Sequence, residues 1–201
     1  SSDVCSSDLI TRFSLSKEAL QAREEFVKRM KAVGVETVTD DMANMYATLT
    51  GTETNLKGII MASHCDSVRN GGNYDGILGV ITALEVVETI AIEKIPHRHP
   101  ITAMIWTNEE GSLYAPAMMS SGVVCGMFKK DKMLESKNPK GKTFGEALEE
   151  SGYIGDASNR LSHKNYMAML ELHIEQGPVL EAEKKQIGVR SEERRVGKEG
   201  P

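Results

Sequence analysis

The sequence predicts an α/β fold in which a largely parallel mixed sheet is flanked by helices. Short continuous apolar runs, typical of strands buried on both faces, alternate with longer segments whose apolar residues recur at helical spacing. Such alternation is typical of helices layered on a parallel sheet. A chain of 201 residues is long enough to bury a core, and we expect one domain over residues 11–189.

The predicted elements follow one another in a regular order. Ser16 is a suitable N-cap for a helix over Lys17–Ala32, and Gly34 is placed to end it. The run GIIMA at residues 58–62 predicts a buried strand that leads into a polar, glycine-rich loop. The same signals predict further strands at 35–38, 45–49, 101–107, 166–174 and 186–189, and helices at 76–92 and 143–150.

Composition and charge narrow the function classes. The net charge is −5, with 40% apolar and 26% charged residues, so neither nucleic acid nor an anionic membrane is an expected partner. No apolar run reaches the roughly 18 residues of a membrane-spanning helix, and residues 1–10 lack the pattern of a signal peptide. Cys5, Cys65 and Cys125 are few and scattered, which favours reduced thiols in a cytoplasmic protein over a disulfide framework.

Three predicted strands end in residues that commonly bind metals. His64 and Asp66 follow the first of these strands, and Glu109 and Glu110 follow the second. His173 lies near the end of the third. In open α/β sheets, binding sites form beyond the carboxyl ends of strands. A lone histidine or a glutamate pair is an ordinary surface feature, but three such groups at equivalent strand ends predict one metal site.

The spacing of these residues indicates how each could act. On an extended segment His64 and Asp66 face the same way, so the Asp66 carboxylate can accept the imidazole N–H and orient the ring. Asp75 lies in the glycine-rich loop before a helix, and its two oxygens can bridge two cations. Glu109 and Glu110 are adjacent and cannot share one face. One can therefore bind a metal while the other stays free as a general base, and spacing alone does not decide which.

This ligand chemistry indicates a reaction class. Histidine, carboxylate and water ligands suit two divalent metal ions, either Zn²⁺ or Mn²⁺, Co²⁺ or Ni²⁺. A hydroxide bridging the two ions, with a glutamate as base, would hydrolyse an amide-like C–N bond. Nucleophilic catalysis is not expected, because Cys65 would point away from its neighbours and the chain has neither a Gly-x-Ser-x-Gly elbow nor a phosphate loop.

Three segments carry a resemblance to a known family: SHCDSVRNGGNYDGILGV at residues 63–80, TNEEGS at 107–112 and ELHIEQGPVLE at 171–181. They resemble the dinuclear-metal amidohydrolases that include N-carbamoyl-L-amino-acid hydrolases, allantoate amidohydrolases and β-ureidopropionases. These enzymes are relatives of the aminoacylases and the carboxypeptidase-type metalloexopeptidases. The resemblance covers residues 11–189 and implies a catalytic domain like that of the zinc exopeptidases.

The resemblance implies which residues hold the metal ions. His64 and His173 would hold one ion, and Asp75 would bridge it to the second. Glu110 would hold the second ion, which leaves its neighbour Glu109 as the general base. This assignment agrees with the roles that spacing allows and chooses between the two glutamates, which spacing did not.

The resemblance also implies roles beyond the metal ligands. Asp66 would be a catalytic residue that supports the ligands from behind, and Gln176 would contact the substrate. The family usually has Arg-Phe after the NEEGS motif, whereas this chain has Leu113-Tyr114. Because that region lies near the site, the difference leaves the substrate preference open.

Family chains are much longer than this one. They continue into a lid that dimerises and binds substrate, and then return with one further histidine ligand. We therefore expect the N-terminal part of a catalytic domain without the lid, monomeric, with a small molecule as its substrate. Residues 1–9 and 191–200 match nothing in the family and resemble translated sequencing-adapter read-through, so we expect foreign or disordered tails over residues 1–10 and 190–201.

Three functions remain open at this point. The leading one is hydrolysis of a linear amide in an N-carbamoyl amino acid or a ureido acid by the whole enzyme, with this fragment alone expected to be inactive. The first alternative is a fragment that binds metal without turnover, since the fifth ligand and the lid are not in the sequence. The second is another activity of the same superfamily, either allantoate hydrolysis or peptide hydrolysis.

Overall fold

The computed structural model describes residues 9–189. The predicted tail at 190–201 and most of the predicted N-terminal tail lie outside this range. The last two residues of that tail, however, are part of the fold, because Leu9–Ile10 form strand β1 and pair antiparallel with β5, Gly71–Gly72. The folded region therefore includes Leu9 and Ile10, two residues earlier than the predicted boundary.

The centre of the fold is a five-stranded mixed sheet in the order β2-β3-β6-β4-β7. Its strands are β2 Thr37–Thr39, β3 Met45–Leu49, β4 Gly58–His64, β6 Ile101–Trp106 and β7 Tyr166–Leu170. Strand β4 runs parallel to both β6 and β7, whereas β2 and β3 pair antiparallel with their neighbours. The predicted α/β class is confirmed. The sheet is more evenly mixed than predicted, because the short β2–β3 hairpin adds its strands in antiparallel orientation.

Helices cover the sheet and extend the domain beside it. They are α1 Lys17–Ala32, α2 Ile77–Ile92, α3 Met119–Val124, α4 Lys130–Leu134, α5 Phe144–Ser151 and α6 Val179–Ala182. The Ser16 hydroxyl accepts the N–H of Ala19 at 3.3 Å, and Gly34 beyond the end of α1 has a φ of +77°, as the sequence predicted. Thr143 caps α5 in the same way and forms a full capping box with Glu146.

The core is built on both faces of the sheet. Helices α1 and α2 pack on one face, where the cluster contains Phe26, Met30, Val80, Val87 and Ile105. The alternate strand residues face the other side, in a smaller cluster of Tyr46, Ile60, Ala62, Met104 and Trp106. A third cluster lies beside the sheet and joins the segment after β6 to α3 and α5. These clusters fix the ends of β4 and β6, where the metal-type residues lie.

Two predictions near the C-terminal end of the described region are wrong. The strand expected at 166–174 stops at Leu170, because the chain leaves the sheet there to place the following residues at the end of β4. The strand expected at 186–189 does not form, and Ile187 and Val189 are 78% and 95% exposed. Four residues carry too little periodicity to predict a strand, and within residues 9–189 none pairs with them. Among the described helices, none has the length and apolar character needed to cross a membrane.

Candidate metal centre

His64 is the last residue of β4 and is almost completely buried, at 2% exposure. Its Nδ1 lies 2.9 Å from the main-chain oxygen of Asp66. A carbonyl oxygen can only accept, so Nδ1 carries the proton in the neutral ring and the lone pair is on Nε2. Nε2 faces the acidic groups of the site, at 3.5 Å from Glu109 Oε2 and 4.0 Å from Asp75 Oδ1. This tautomer and orientation are those of a metal ligand.

The Asp66 carboxylate does not orient His64 as predicted. It lies 3.9 Å from Nδ1, beyond hydrogen-bond distance, because strand pairing ends at His64 and the two residues no longer share one face. Asp66 instead accepts the main-chain N–H groups of Glu109 at 3.3 Å and Glu110 at 3.1 Å. It therefore ties the end of β6 to the end of β4. The sequence contained no signal for this contact between residues so far apart in the chain.

Asp75 faces His64 from the loop before α2. Its Oδ2 accepts a hydrogen bond from Gln176 Nε2 at 2.6 Å, while its buried Oδ1 has no hydrogen-bond partner. The next residue, Gly76, has a φ of +67°, and a Cβ added there would overlap the His64 ring. A glycine is required at this position because the backbone must pass directly against the imidazole.

Glu109 and Glu110 follow Asn108, whose φ of +55° turns the chain at the end of β6. Glu110 Oε1 is buried without a hydrogen-bond partner. Burial raises the pKa of Glu109, and burial together with the nearby Asp75 carboxylate raises the pKa of Glu110 to about 7. Burial lowers the pKa of His64, but the carboxylates of Asp66 and Glu109 outweigh it and the pKa is raised. The site concentrates negative charge that a cation would balance.

His173 reaches the site from the segment after β7. Its Nδ1 lies 2.8 Å from the main-chain oxygen of Ile174, and its Nε2 lies 3.2 Å from Asp75 Oδ1. The rings of His64 and His173 have their centroids 5.8 Å apart. Ser63 Oγ donates to Glu171 Oε1 at 2.6 Å and so holds this segment to the end of β4. The main-chain oxygen of Leu172 packs directly against Gly79 of α2, where a Cβ would overlap it.

The donor set fits divalent cations. Two groups, His64 with Asp75 and His173, and His64 with Glu109 and Glu110, each place one donor atom per residue within 4.8 Å of the others. Buried carboxylate oxygens without partners are costly unless a cation or proton satisfies them, and Asp75 Oδ1 and Glu110 Oε1 both lie here. Imidazole nitrogens and carboxylate oxygens are the ligands that Zn²⁺ and Mn²⁺ accept in proteins.

The structure brings every predicted site residue to one place. They form two groups that share His64, one with Asp75 and His173 and the other with Glu109 and Glu110, and Asp66 lies behind the two glutamates. The division into four ligands and a general base stays a prediction. The predicted substrate residue, Gln176, is bonded to Asp75, and its contact with substrate stays a prediction. Cys65 is buried in the first core cluster, 2% exposed, in agreement with its predicted packing role.

Comparison with known proteins identifies the family. The sequence profile of Peptidase family M20/M25/M40 matches residues 60–195. An N-carbamoyl-L-amino-acid amidohydrolase of Rhizobium meliloti is 40% identical over 169 residues, which cover 84% of this chain and 40% of that protein. An allantoate amidohydrolase of Escherichia coli strain K12 is 32% identical over 180 residues, which cover 90% of this chain and 44% of that protein.

A solved structure gives the same result. The crystal structure of a hydantoinase/carbamoylase family amidase from Burkholderia multivorans matches with a TM-score of 0.82 at 38% sequence identity. The match covers 90% of this chain and 44% of that chain, so our chain spans less than half the length of the relatives it matches. The chain is similar to amidohydrolases of the hydantoinase/carbamoylase type and belongs to Peptidase family M20/M25/M40.

Proposed function

We propose that this chain carries the general base and four metal ligands of an amidohydrolase for linear C–N bonds, with an N-carbamoyl amino acid or a ureido acid as substrate. The observation that carries the proposal is the pair of buried, unpartnered oxygens, Asp75 Oδ1 and Glu110 Oε1, beside two imidazole Nε2 atoms. The names of the relatives from Rhizobium meliloti and Escherichia coli support the substrate class.

The ligands divide between two ions. His64, His173 and Asp75 would hold the first, and Asp75 with Glu110 would hold the second. When bound, two divalent cations make a water acidic at neutral pH and polarise a carbonyl oxygen. Asp66 keeps Glu109 and Glu110 in place by accepting their main-chain N–H groups. Asp75 is itself held by the amide of Gln176.

Glu109 is the residue that moves the proton. Its Oε2 lies 3.5 Å from His64 Nε2, at the edge of the ligand group, and its side chain is 29% exposed, so an incoming water can reach it. Glu109 Oε2 takes the proton of the attacking water and returns it to the leaving nitrogen when the C–N bond breaks. A carbamoyl substrate would then yield the free amine, and the carbamate would decompose to ammonia and carbon dioxide.

The test measures bound metal and ammonia release on the same protein. The 201-residue chain is loaded with Zn²⁺ or Mn²⁺, its metal content is determined, and ammonia is measured with N-carbamoyl amino acids. Metal binding with turnover supports the proposal. Metal binding without turnover supports the metal-binding alternative, and absence of metal binding contradicts both.

Replacement of the two glutamates separates their roles. In a version of the chain extended to the length of its relatives, we expect Glu109→Gln to keep the bound metal and to lower turnover by about 10²–10⁴-fold, because a general base contributes that much. Glu110→Gln should instead lose the second ion. Glu149→Gln, on the exposed side of α5, is the matched control and should change neither. Full turnover by Glu109→Gln would show that another group is the base.

A peptidase is the second candidate function. The matching family is named for its peptidases, and the same set of metal ligands could support hydrolysis of a peptide bond. Hydrolysis of dipeptides without ammonia release from N-carbamoyl amino acids would favour this candidate over the first.

A further inference from the structure

Arg23 is a charged residue on the buried face of α1. It is 2% exposed and continues the stripe formed by Ala19, Phe26 and Met30, where helical spacing calls for apolar residues. A buried guanidinium is costly unless its N–H groups are satisfied. Its two hydrogen bonds go to neutral oxygens, so an ion pair does not account for its position.

The guanidinium joins three parts of the chain. One terminal nitrogen donates to Ala43 O at 2.6 Å, and the other donates to Thr107 Oγ1 at 2.6 Å. Thr107 Oγ1 in turn donates to Ala43 O at 2.8 Å, which closes a triangle of hydrogen bonds. The main-chain N–H of Thr107 is held by Asn44 Oδ1 at 3.0 Å. Thr107 is therefore fixed from the α1 side and from the loop before β3.

Thr107 comes two residues before Glu109. Between them Asn108 turns the chain with a φ of +55°, and the Asp66 carboxylate holds the N–H groups of Glu109 and Glu110. The loop that carries both glutamates is thus held at its start by Arg23 and at the acidic pair by Asp66. A change at either point would shift Glu110 relative to Asp75 and His64.

We propose that Arg23 is a positioning residue for Glu109 and Glu110, a role that rests on the proposed metal function. The planar fork of arginine reaches two acceptors at once with a fixed angle between them. Lysine keeps the charge but presents it as a single point, so it cannot hold Ala43 O and Thr107 Oγ1 in the same geometry.

Arg29 provides the comparison for a purely structural arginine. It lies on the same helix and forms a fork to Glu88 of α2, with Nε donating to Oε1 at 2.8 Å. This pair joins two helices and makes no contact with the site. Arg23→Lys and Arg29→Lys are therefore the same substitution on the same helix, and only the first should reach the metal centre.

The experiment titrates Co²⁺ into the 201-residue chain by calorimetry and records the visible absorption of the bound ion, which reports its ligand geometry. We expect Arg23→Lys to weaken the weaker of the two Co²⁺ binding steps about tenfold or more, as for other residues that orient ligands, and to shift the absorption bands. Arg29→Lys should lower stability in urea but leave both Co²⁺ readouts unchanged.

Thr107→Val keeps the test decisive if Arg23→Lys does not fold. It removes one hydroxyl, and we expect part of the same loss of Co²⁺ affinity and the same direction of band shift. Unchanged Co²⁺ affinity and absorption in both variants would overturn the proposal and leave Arg23 a structural residue. If the unsubstituted chain binds no Co²⁺, the proposed metal function is contradicted, and the positioning role falls with it. If only the positioning role is wrong, the unsubstituted chain and both variants bind Co²⁺ alike, so the two failures are distinguished.

Discussion

The two sides of the candidate metal centre are held in different ways. Strands β4 and β6 are central and paired on both sides. Strand β4 ends in His64 and β6 is followed directly by Thr107, and these two residues are 2% and 1% exposed. The other side is the β7 arm, residues 166–189, which begins with the edge strand β7. Its apolar side chains are open to solvent, with Met167 and Leu170 each 60% exposed. One side of the site is fixed by a core, and the other rests on an exposed segment.

The difference shows what positions His173. Burial fixes His64 because β4 lies between two strands and under α2, so displacing it would disturb the whole core. Besides the contact of His173 itself with Asp75, the β7 arm has two side-chain hydrogen bonds to the site, Ser63 to Glu171 and Gln176 to Asp75. A single hydrogen bond contributes about 0.5–1.5 kcal/mol net, so these links orient His173 with far less free energy than a core supplies.

The largest expected effect comes from filling the space against His64. Gly76→Ala places a Cβ where the imidazole lies, at a φ of +67° that costs a non-glycine residue about 1–3 kcal/mol. We expect the variant to lose more than about a hundredfold in Zn²⁺ affinity. Loss of a residue that only orients a ligand costs about 10–100-fold, and here the proposed ligand His64 must itself move. Unfolding in urea and Zn²⁺ titration measure both effects.

Gly72→Ala is the control for this prediction. Gly72 lies in the same loop, but a Cβ there meets nothing within 4 Å. Its free energy of unfolding should change by no more than about 0.5 kcal/mol, with Zn²⁺ affinity unchanged. Equal losses in the two variants would mean that the loop as a whole, rather than the approach to His64, sets the site.

The substitution of leucine by alanine can be made on both sides of the site, and its effect on the free energy of unfolding compares them directly. Leu84 of α2 is 4% exposed in the first core cluster, and Leu170 of β7 is 60% exposed. Leu84→Ala should lower the free energy of unfolding by about 2–5 kcal/mol, because it leaves a cavity. Leu170→Ala should change it by no more than about 0.5 kcal/mol.

Urea denaturation of both variants measures these free energies. A loss at Leu170 as large as at Leu84 would break the comparison, since the β7 arm would then be as firmly packed as the central strands. Circular dichroism before denaturation checks that each variant begins from the same fold.

The sequence predicted the central part of the fold well. Helix α1 and its cap, α2, β3 and β4 have strong periodicity or continuous apolar runs, and burial in the core enforces that pattern. The helix α3 at Met119–Val124 was missed because six residues carry too few turns to show helical spacing. The strand expected at 186–189 is wrong for a related reason. A run of four residues does not show whether a neighbouring strand is available to pair with it.

The site was predicted as a set of residues but not in its connections. His64, the Glu109–Glu110 pair and His173 were predicted because strand ends converge at one edge of an α/β sheet. Asp75 was predicted from its place in the glycine-rich loop, and only the family resemblance chose Glu110 over Glu109 as the ligand. The bonds from Asp66 to the N–H groups of Glu109 and Glu110 join residues more than forty positions apart, and periodicity carries no such information. Arg23 did leave a signal, a charge on an apolar helix face, which indicates a specific buried partner.

The smallest expected effect concerns Asp41, a buried carboxylate that binds Arg160 shortly before the β7 arm begins. We call this contact the Asp41 anchor. Asp41 is 7% exposed and accepts from Arg160 Nε at 2.6 Å and from Lys130 Nζ at 2.7 Å. Burial alone would raise the pKa of Asp41, but the hydrogen bonds from Arg160 and Lys130 outweigh it and lower the pKa below its ordinary value of 3.8. The anchor therefore stabilises the fold fully above that value, and its contribution is lost as the pH falls through the lower, folded pKa.

Asp41→Asn tests this anchor through its pH dependence. At pH 7 the substitution should lower the free energy of unfolding by about 1.5–3 kcal/mol, the range for hydrogen bonds to charged groups. The difference from the unsubstituted chain should stay constant from about pH 7 to pH 5 and shrink below about pH 4, where the carboxyl begins to be protonated in the unfolded chain. Glu53→Gln is the control, because its fork to Arg98 has the same chemistry but is exposed, at 42% and 69%, and exposed pairs contribute about 0.2–1 kcal/mol. Equal losses in the free energy of unfolding at pH 7 would contradict the prediction. They would mean that the segment around Arg160, which leads into the β7 arm, is held no better than a surface loop. The weakly held side of the site would then begin before Arg160 rather than after it.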